Sequence, residues 1–199
     1  MADEIRSFIA VLISDDLKRR IAVVQEDFKK AAPDVKWVEE ENFHITMKFL
    51  GDTRTDELDA IREAIEAAIG DLPPFAAEIS GAGAFPNPRR PRTVWVGITS
   101  GVDQLAEIAK RIESALETIG FPKEDRPFKA HITIGRVKDD RGVGKLAGAL
   151  QEAESVQLGT VNVASVAIMK SELRREGPIY SVLGEISLRT EAEGAKTNG

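Results

Sequence analysis

Two copies of a short motif carry the clearest chemistry in this chain: His-Ile-Thr begins at His44 and again at His131. These are the only two histidines among 199 residues. An unperturbed imidazole titrates near neutral pH, so one histidine can donate a proton while the other accepts one. Threonine hydroxyls can donate hydrogen bonds to oxygen atoms that gain negative charge during a reaction. The paired motifs therefore suit cleavage of a phosphodiester, which needs an acid, a base and donors to the phosphate oxygens.

Other chemistries for the two histidines have less support. The chain has no cysteine, which excludes a disulfide framework, a thiolate metal site and a cysteine nucleophile. A histidine metal site would need a third ligand, which Glu39, Glu40 or Glu41 could supply, but the histidines lack the i, i+4 spacing of a helical pair. A histidine within a strand can also be structural. Because the whole motif is repeated, we predict an acid–base pair with no metal and no cofactor.

The first motif lies in a predicted strand, in which successive side chains point to opposite faces. His44 and Thr46 would then share one face with Lys48. Met47 and Phe49 would take the other face and belong to the core. The second motif follows the same rule, so each strand would present an imidazole and a hydroxyl about 7 Å apart along its length.

Arg136 follows the second motif, and its position depends on how regular the strand is. Strict alternation from His131 places Arg136 on the opposite face, as a surface residue. A β-bulge at Gly135, or the end of the strand, would turn Arg136 back toward His131. The sequence leaves both positions open.

The motifs belong to a larger internal repeat, with units over residues 6–51 and 93–137. Each unit is predicted as strand, helix and strand, with its histidine near the start of the second strand. Further strands at the C-terminal end favour a mainly antiparallel α+β sheet. The polar segment 190–199 is predicted to be a flexible tail. The predicted strands cover residues 6–13, 43–50, 75–81, 93–99, 129–137, 158–169 and 179–188, and the predicted helices cover 15–31, 55–69, 102–119 and 143–153.

Whole-chain composition limits the class of partner. The chain has 27 Lys and Arg against 33 Asp and Glu, and its net charge of −6 argues against binding to long duplex nucleic acid. A small phosphate or an RNA end needs only a few local cations.

No apolar run approaches the roughly 18 residues of a membrane span, and no secretory signal is apparent, so we expect a cytoplasmic protein without a membrane partner. Two local basic clusters stand out: Arg89, Arg90 and Arg92, and Lys170, Arg174 and Arg175.

The motifs and their surroundings resemble the two-histidine (2H) phosphoesterase superfamily, and within it the LigT-like RNA 2′,3′-cyclic phosphodiesterases, also called 2′-5′ RNA ligases. A single His-x-Thr would indicate almost nothing, whereas the doubled motif in this context is highly specific. The resemblance implies a bilobed, duplicated α+β fold, in which two mainly antiparallel sheets flanked by helices enclose a central cleft within one domain over residues 1–189. The segments that carry it span nearly the whole chain: 6–11, 36–38, 41–51, 126–136 and 177–180.

The resemblance also implies an activity: metal-independent hydrolysis of a terminal 2′,3′-cyclic phosphate on RNA to a 2′-phosphomonoester. His44 would be the proton donor to the leaving oxygen, and His131 would be the proton acceptor that activates water. Thr46, Thr133 and Arg136 would bind the phosphate. The spacing alone does not say which histidine is the acid.

Three aromatic residues are candidates for stacking on a base of the RNA: Phe8, Phe49 and Tyr180. Phe8 and Phe49 are otherwise expected in the core, and Tyr180 is otherwise an ordinary strand residue. The expected partners are RNA ends with a 2′,3′-cyclic phosphate, tRNA halves included, or small cyclic phosphates. We expect the protein to act as a monomer.

Two other functions fit the same motifs. The site could run in reverse and join tRNA halves through a 2′-5′ linkage, without ATP because the chain has no G-x-x-x-x-G-K-[ST] loop. It could instead bind RNA ends without cleaving them. For the hydrolase, two ordinary imidazoles predict a bell-shaped pH–rate profile around neutrality.

Overall fold

The computed structural model describes residues 3–32, 34–138, 143–175 and 177–189, so the predicted tail 190–199 lies outside the described residues. The described residues form nine β-strands and four α-helices, and none of these helices is long and apolar enough to cross a membrane. In chain order the elements are β1 (Glu4–Leu12), α1 (Asp15–Ala31), β2 (Lys36–Trp37), β3 (His44–Arg54), α2 (Leu58–Ile69), β4 (Phe75–Phe85), β5 (Thr93–Ser100), α3 (Val102–Glu117), β6 (His131–Arg136), α4 (Val143–Glu152), β7 (Gln157–Val163), β8 (Ser165–Leu173) and β9 (Pro178–Ser187).

Helix α1 shows why the elements form where the sequence predicts them. Ser14 is its N-cap, and the Ser14 hydroxyl accepts a hydrogen bond from the backbone N–H of Leu17 at 3.3 Å. Leu17, Ile21 and Phe28 are buried along one stripe, as a spacing of 3.6 residues per turn requires. The helix therefore has the predicted bounds, Asp15–Ala31.

Some boundaries differ from the prediction. Strand β3 extends to Arg54, beyond the expected end at residue 50. The predicted strand over residues 158–169 is two strands, β7 and β8, which are separated at Ala164. Neither difference affects the motifs, because His44 and His131 are each the first residue of a strand.

All strand pairs are antiparallel, in the order β7-β4-β5-β6-β3-β1-β8-β9, with β2 paired to β6. The first half of the sheet is β3-β1-β8-β9, and the second half is β6-β5-β4-β7. One residue pair, Ile45 of β3 with Ile132 of β6, joins the halves, and we call it the seam. The predicted α+β class is confirmed, and the two expected sheets meet at the seam to form one continuous sheet.

The helices cover the face of the sheet that carries the seam isoleucines, and they cross between the halves. Helix α1 follows β1 of the first half, yet it contacts α4 and β7. Helix α3 follows β5 of the second half, yet it contacts α2 and β3. Most of the buried apolar side chains form one cluster that includes both Ile45 and Ile132. The two halves therefore share a single core.

A buried polar residue ties α1 to the strand of the second motif. The side-chain amide of Gln25 donates to the backbone carbonyls of Val38 and Ile134, each at 2.8 Å. Gln25 is itself almost fully buried, and a buried amide is stable only when it is hydrogen-bonded. These bonds hold β6 at the point where its pairing becomes irregular.

Candidate active site

Strand β3 carries a β-bulge at the third residue after its histidine. Ala10 and Ile9 of β1 pair with Thr46 and Lys48 of β3, so Met47 is the extra residue. A bulge leaves one residue unpaired and shifts the alternation of side chains beyond it. Lys48 and Phe49 therefore point to the faces opposite to those that strict alternation predicts, and a second bulge at Leu50 shifts the alternation again beyond them.

The predicted faces of Lys48 and Phe49 are wrong for this reason. Lys48, expected beside His44, is only 3% exposed. Its ammonium donates to the carbonyl oxygen of Pro122 at 2.6 Å and lies 3.8 Å from a carboxylate oxygen of Glu113. Phe49, expected in the core, is 55% exposed. The bulge has exchanged the two side chains between the faces of the sheet.

Lys48→Met tests this placement, because methionine keeps an unbranched apolar stem without the ammonium. The Pro122 carbonyl loses its donor, so we expect the free energy of unfolding to fall by about 1–3 kcal/mol. Turnover by the folded variant should stay within about threefold of wild type, since Lys48 points away from His44. Urea unfolding and steady-state kinetics measure the two effects. A large loss of turnover at unchanged stability would place Lys48 in the site instead.

Strand β6 is bulged at the corresponding position. Trp95 and Val94 of β5 pair with Thr133 and Gly135 of β6, so Ile134 is the extra residue. This is again the third residue after the histidine. The same irregularity therefore occurs in both motif strands.

The second bulge determines where Arg136 points. Beyond the bulge, Arg136 pairs with Thr93, and its side chain returns to the face of His131 and Thr133, here called the motif face. Burial lowers the pKa of both histidines, and the positive charge of Arg136 lowers it further, which agrees with a position beside them. Of the two positions that the sequence left open, the structure has Arg136 on the motif face.

The four motif side chains meet across the seam. Strands β3 and β6 are antiparallel and pair at Ile45 and Ile132. The residue before Ile45, His44, therefore lies beside the residue after Ile132, Thr133. Thr46 lies beside His131 in the same way. Cross-strand neighbours of this kind have Cβ atoms about 5 Å apart. All four residues are half-buried. We call this two-by-two arrangement the motif array.

Both imidazoles are anchored in the same way. His44 Nδ1 lies 2.7 Å from the carbonyl oxygen of Asn42, and His131 Nδ1 lies 2.6 Å from that of Lys129. A carbonyl oxygen only accepts hydrogen bonds, so each Nδ1 carries a hydrogen and donates it. Nε2 is therefore the atom at which each ring gains and loses a proton. At His44, Nε2 lies 3.0 Å from the hydroxyl oxygen of Thr46.

Burial disfavours the charged form of both imidazoles. It is the main reason that the pKa of His44 falls from 6.5 to about 4; the hydrogen bond to Asn42 opposes the fall, and the charges of His131, Lys18 and Arg136 add to it. The pKa of His131 is lowered by burial first and then by Arg136, against its hydrogen bond to a carbonyl. Both rings are therefore mainly neutral in the free protein at neutral pH.

Aromatic rings pack against both histidines. The ring centroid of Phe8 lies 4.9 Å from that of His44, and Tyr180 lies edge-on at 5.4 Å. Phe85 lies edge-on to His131 at 5.1 Å. Phe8 is 3% exposed, so it is buried as expected, but it supports His44 rather than offering a free face to a base. Tyr180 is half-buried, which raises the pKa of its phenol.

Sequence reasoning missed Phe85 and Lys18. Phe85 is the last residue of β4, and besides His131 its ring contacts Trp95, with 5.2 Å between the centroids. Lys18 lies on α1, and its ammonium donates to the carbonyl oxygen of Glu41 at 3.2 Å. No local pattern marks either residue, because strand pairing and helix packing bring them to the motifs from distant parts of the chain.

The second basic cluster lies beside an acidic side chain. Glu172 lies 2.7 Å from Lys170 and 3.3 Å from Arg174, so the second cluster is partly neutralised. In the first cluster, the side chains of Arg89 and Arg90 are exposed on the loop between β4 and β5. Arg89 and Arg90 are therefore well placed to meet an anion from solvent.

The residues around the histidines differ from those of a typical metal centre. Within the described ranges, no three His, Cys, Asp or Glu side chains lie close enough to hold one ion. The candidate ligands Glu40 and Glu41 lie in a short 3-10 helix before β3. Two imidazoles, two hydroxyls and a guanidinium are instead groups that donate hydrogen bonds to phosphate oxygens.

Sequence comparison finds relatives along most of the chain. A profile described as the 2′-5′ RNA ligase superfamily matches residues 13–175. A protein named RNA 2′,3′-cyclic phosphodiesterase from Methanothermobacter thermautotrophicus is 35% identical over 178 residues, which are 89% of this chain and 96% of that protein. A protein of the same name from Aeropyrum pernix is 36% identical over 173 residues, covering 84% of this chain and 94% of the relative.

Solved structures with this fold are also found. The crystal structure of TT0787 of Thermus thermophilus matches with a TM-score of 0.75 and 28% identity, over 94% of this chain and 99% of that one. LigT of E. coli, crystallised with 3′-AMP, matches with a TM-score of 0.75 and 21% identity, over 94% of this chain and all of that one (100%). Both matches cover the two halves of the sheet together.

Proposed function

The chain belongs to the 2′-5′ RNA ligase superfamily, and from that premise we propose that it hydrolyses the terminal 2′,3′-cyclic phosphate of RNA to a 2′-phosphomonoester. The main support is the motif array, which sets two imidazoles and two hydroxyls on one face of the sheet. Relatives named for this activity align with most of the chain. RNA ends, tRNA halves included, and small cyclic phosphates are the proposed substrates. Because both histidines come from one chain, we propose that the two halves act as one domain and as a monomer.

We assign His131 as the base and His44 as the acid. His131 Nε2 takes a proton from a water molecule while the water oxygen attacks phosphorus. The bond between phosphorus and the 3′ oxygen breaks, and His44 Nε2–H protonates that oxygen. The phosphate stays on the 2′ oxygen. Both rings have Nε2 free of backbone bonds, which supports a proton transfer at each one.

Substrate binding supplies the proton on the acid. Free His44 has a pKa of about 4, so it is neutral at neutral pH until an anion arrives. The negative cyclic phosphate raises the pKa of a neighbouring imidazole. Neutral Nε2 of His44 can accept the hydrogen of the Thr46 hydroxyl. Once Nε2 is protonated it no longer accepts, so the Thr46 hydroxyl can donate to a phosphate oxygen while Nε2–H faces the leaving oxygen. Thr133 and Arg136 donate to the phosphate from the other strand, where negative charge increases in the transition state.

The lowered pKa values predict an acidic pH optimum. The reacting form has one ring protonated and the other neutral, so kcat/KM peaks between the pKa values of the free protein. Both values lie below 6.5, so the peak belongs on the acidic side of neutrality rather than around it. Arg136→Gln removes a positive charge and should raise both values. The NMR titration of the chain's two imidazoles and the kcat/KM profile measure this, and a free imidazole that titrates above 6.5 would contradict it.

Product analysis on an oligonucleotide that ends in a 2′,3′-cyclic phosphate tests the function most directly. We expect a 2′-phosphate as the sole product, at the same rate with and without EDTA, because the assigned groups transfer every proton themselves. A 3′-phosphate product, or activity that EDTA abolishes and a divalent ion restores, would exclude this mechanism. Binding of the cyclic end without any product would indicate an RNA-end binder.

The family description favours one further candidate, the joining of RNA ends. A 5′-hydroxyl would replace water, attack phosphorus and leave a 2′-5′ linkage, with the same acid and base and no ATP. A second oligonucleotide with a free 5′-hydroxyl, added to the same reaction, separates the two activities. Joined product in excess over hydrolysed product would favour the ligase, and its absence would favour the hydrolase.

A further inference from the structure

The assigned roles give the motif array a leaving side and an attacking side. His44 protonates the leaving 3′ oxygen, and His131 takes the proton of the attacking group. In a displacement at phosphorus, the attacking and leaving oxygens lie roughly in line, on opposite sides of the phosphorus atom. The ribose with the leaving oxygen therefore lies toward the first half of the sheet, which carries His44. The attacking group lies toward the second half, which carries His131.

The leaving side has an exposed aromatic ring of its own. Phe49 is 55% exposed on the motif face, and its ring centroid lies 6.2 Å from that of Phe8, which packs on His44. The Phe49 ring is available to stack on the base of the terminal nucleotide, whose 3′ oxygen leaves. An aromatic surface on the second half of the sheet is therefore free to bind a different group.

The attacking side has a cavity of about 700 Å³ beside the second motif. Its lining includes Trp95 and Gly97 of β5, which pair with Thr133 and His131. Neighbouring strands are about 4.8 Å apart, so the cavity begins one strand away from the array. A water molecule takes up only about 30 Å³, whereas pockets for small ligands span roughly 300–1,000 Å³. This cavity, here called the Trp95 cavity, is therefore much larger than an attacking water molecule needs.

The indole of Trp95 lies over glycine backbone. A Cβ added to Gly83 would come within 2.5 Å of indole carbons, and one added to Gly97 would come within 3.2 Å. Because both positions lack a side chain, a large aromatic surface lies along the motif face of β4 and β5, and such a surface suits a planar aromatic ligand. Among the residues that the structure describes, Trp95 Nε1 is the one buried side-chain nitrogen or oxygen without a hydrogen-bond partner. A small rotation of the ring would let it donate to a ligand.

The rim of the cavity supplies further polar groups. Arg89, from the basic loop between β4 and β5, lines one side. The loop is held by Asn87, whose side-chain oxygen accepts from the backbone N–H groups of Arg89 at 3.0 Å and Arg90 at 3.1 Å. Gln151 and Glu154 line the cavity as well. An aromatic surface with donors, acceptors and a cation at its edge matches a nucleotide, which has a planar base with polar edges and a phosphate.

We infer that the Trp95 cavity binds the first nucleotide of a second RNA strand, whose 5′-hydroxyl takes the place of water as the attacking group; this assignment rests on the proposed function. His131 Nε2 takes the proton of the hydroxyl while the 5′ oxygen bonds to phosphorus. The bond between phosphorus and the 3′ oxygen breaks, and His44 protonates that oxygen. The product is a 2′-5′ linkage, and no ATP is consumed. The base of the acceptor nucleotide stacks on Trp95, and Arg89 meets the phosphate on its 3′ side.

Competition between joining and hydrolysis tests the inference. The substrate is an oligonucleotide that ends in a 2′,3′-cyclic phosphate, and the acceptor is the trinucleotide AUU with a free 5′-hydroxyl or the same trinucleotide with an abasic first ribose. Each acceptor is added far below saturation, and the ratio of 2′-5′-joined to hydrolysed product is measured. Base stacking on an aromatic residue is worth about 1–3 kcal/mol, so the ratio should be roughly 5- to 150-fold higher with AUU. Equal ratios for the two acceptors would overturn the inference.

Three variants locate the acceptor base. Trp95→Ala should abolish the preference for AUU over the abasic acceptor. Gly83→Ala, which displaces the indole but retains it, should reduce the preference and serves if Trp95→Ala fails to fold. Phe49→Ala is the matched control, because it removes the exposed ring of the leaving side. It should raise KM for the cyclic oligonucleotide and keep the acceptor preference.

The outcomes separate the acceptor site from the function. If the cyclic end is hydrolysed but AUU is never joined, the inference is wrong and the proposed function stands. If Trp95→Ala and Gly83→Ala both fold and keep the preference, the acceptor does not use the cavity, and the inference is again wrong. Loss of the preference in Phe49→Ala but not in Trp95→Ala would also overturn it. If the cyclic phosphate is not consumed at all, the proposed function fails, and the inference fails with it.

Discussion

Alanine at His44 or at His131 is expected to lower kcat by roughly 10²–10⁴-fold, the usual contribution of a single general acid or base. Each ring has its Nδ1 committed to a backbone carbonyl and offers only Nε2 for proton transfer. The chain contains no third histidine that could replace either one. Neither Thr46 nor Thr133 can take over, because a hydroxyl is far too weak a base at neutral pH.

The pH dependence of the residual rate assigns the roles. Without the base, the remaining reaction needs only a protonated acid, so the His131→Ala rate should fall as pH rises. Without the acid, it needs only a neutral base, so the His44→Ala rate should rise with pH. The opposite pattern would exchange the two assignments, and a rate within about fivefold of wild type for either variant would reject paired acid–base catalysis.

Asparagine variants are the matched control for these two substitutions. The amide nitrogen of asparagine is bonded to Cγ, as Nδ1 of histidine is, so it can donate to the carbonyl of Asn42 or Lys129, but it cannot transfer a proton. His44→Asn and His131→Asn should therefore lose as much turnover as the alanine variants while unfolding at a urea concentration closer to that of wild type. Recovery of activity by asparagine would mean that the histidines serve structure and not proton transfer.

Ile132→Ala is expected to lower the free energy of unfolding by about 2–5 kcal/mol, the cost of a cavity where a fully buried isoleucine is truncated. We also expect the folded variant to turn over more slowly than wild type, a loss that unfolding of part of the protein would not explain. The array is assembled from two strands that are joined at the Ile45–Ile132 pair. A cavity beneath that pair lets β3 and β6 shift, and a displacement of about 1 Å at reacting groups can cost roughly 10²-fold in rate.

Ile65→Ala in α2 is the matched control, because Ile65 is fully buried in the same core but far along the chain from the seam. It should lose a similar amount of stability and keep its turnover at a temperature where both variants are folded. Urea unfolding and kcat on folded protein measure the comparison. Equal turnover in the two variants would show that the seam does not hold the array in register.

The two motif strands are alike up to their bulges and differ after them. The fourth position after the histidine, Lys48 or Gly135, turns toward the core in both strands. The fifth, Phe49 or Arg136, turns to the motif face. One half therefore presents an apolar ring and the other a cation at matching places. Because of this difference, the two nearly identical motifs can bind an asymmetric substrate in a single orientation.

Much of this protein was readable from local sequence. The boundaries of α1 follow from Ser14 and a stripe of apolar residues, which are interactions within a few turns of chain. The pairing of motifs follows from repetition, and the faces of His44, Thr46, His131 and Thr133 follow from alternation over three residues. These features depend on neighbours close in sequence, so the sequence by itself determined them, together with the acid–base chemistry that two histidines and no cysteine allow.

Tertiary structure decided the rest. Strict alternation predicted the wrong faces for Lys48 and Phe49 because a bulge depends on how two strands pair. The register of that pairing cannot be read from the sequence of one strand alone. For the same reason, the sequence did not decide which face of the sheet Arg136 occupies. The pairing of β5 with β6 places it on the motif face. Burial by rings from distant strands lowered the pKa of both imidazoles and moved the expected pH optimum. Sequence supplied the reacting groups, and long-range pairing set their faces, their neighbours and their protonation.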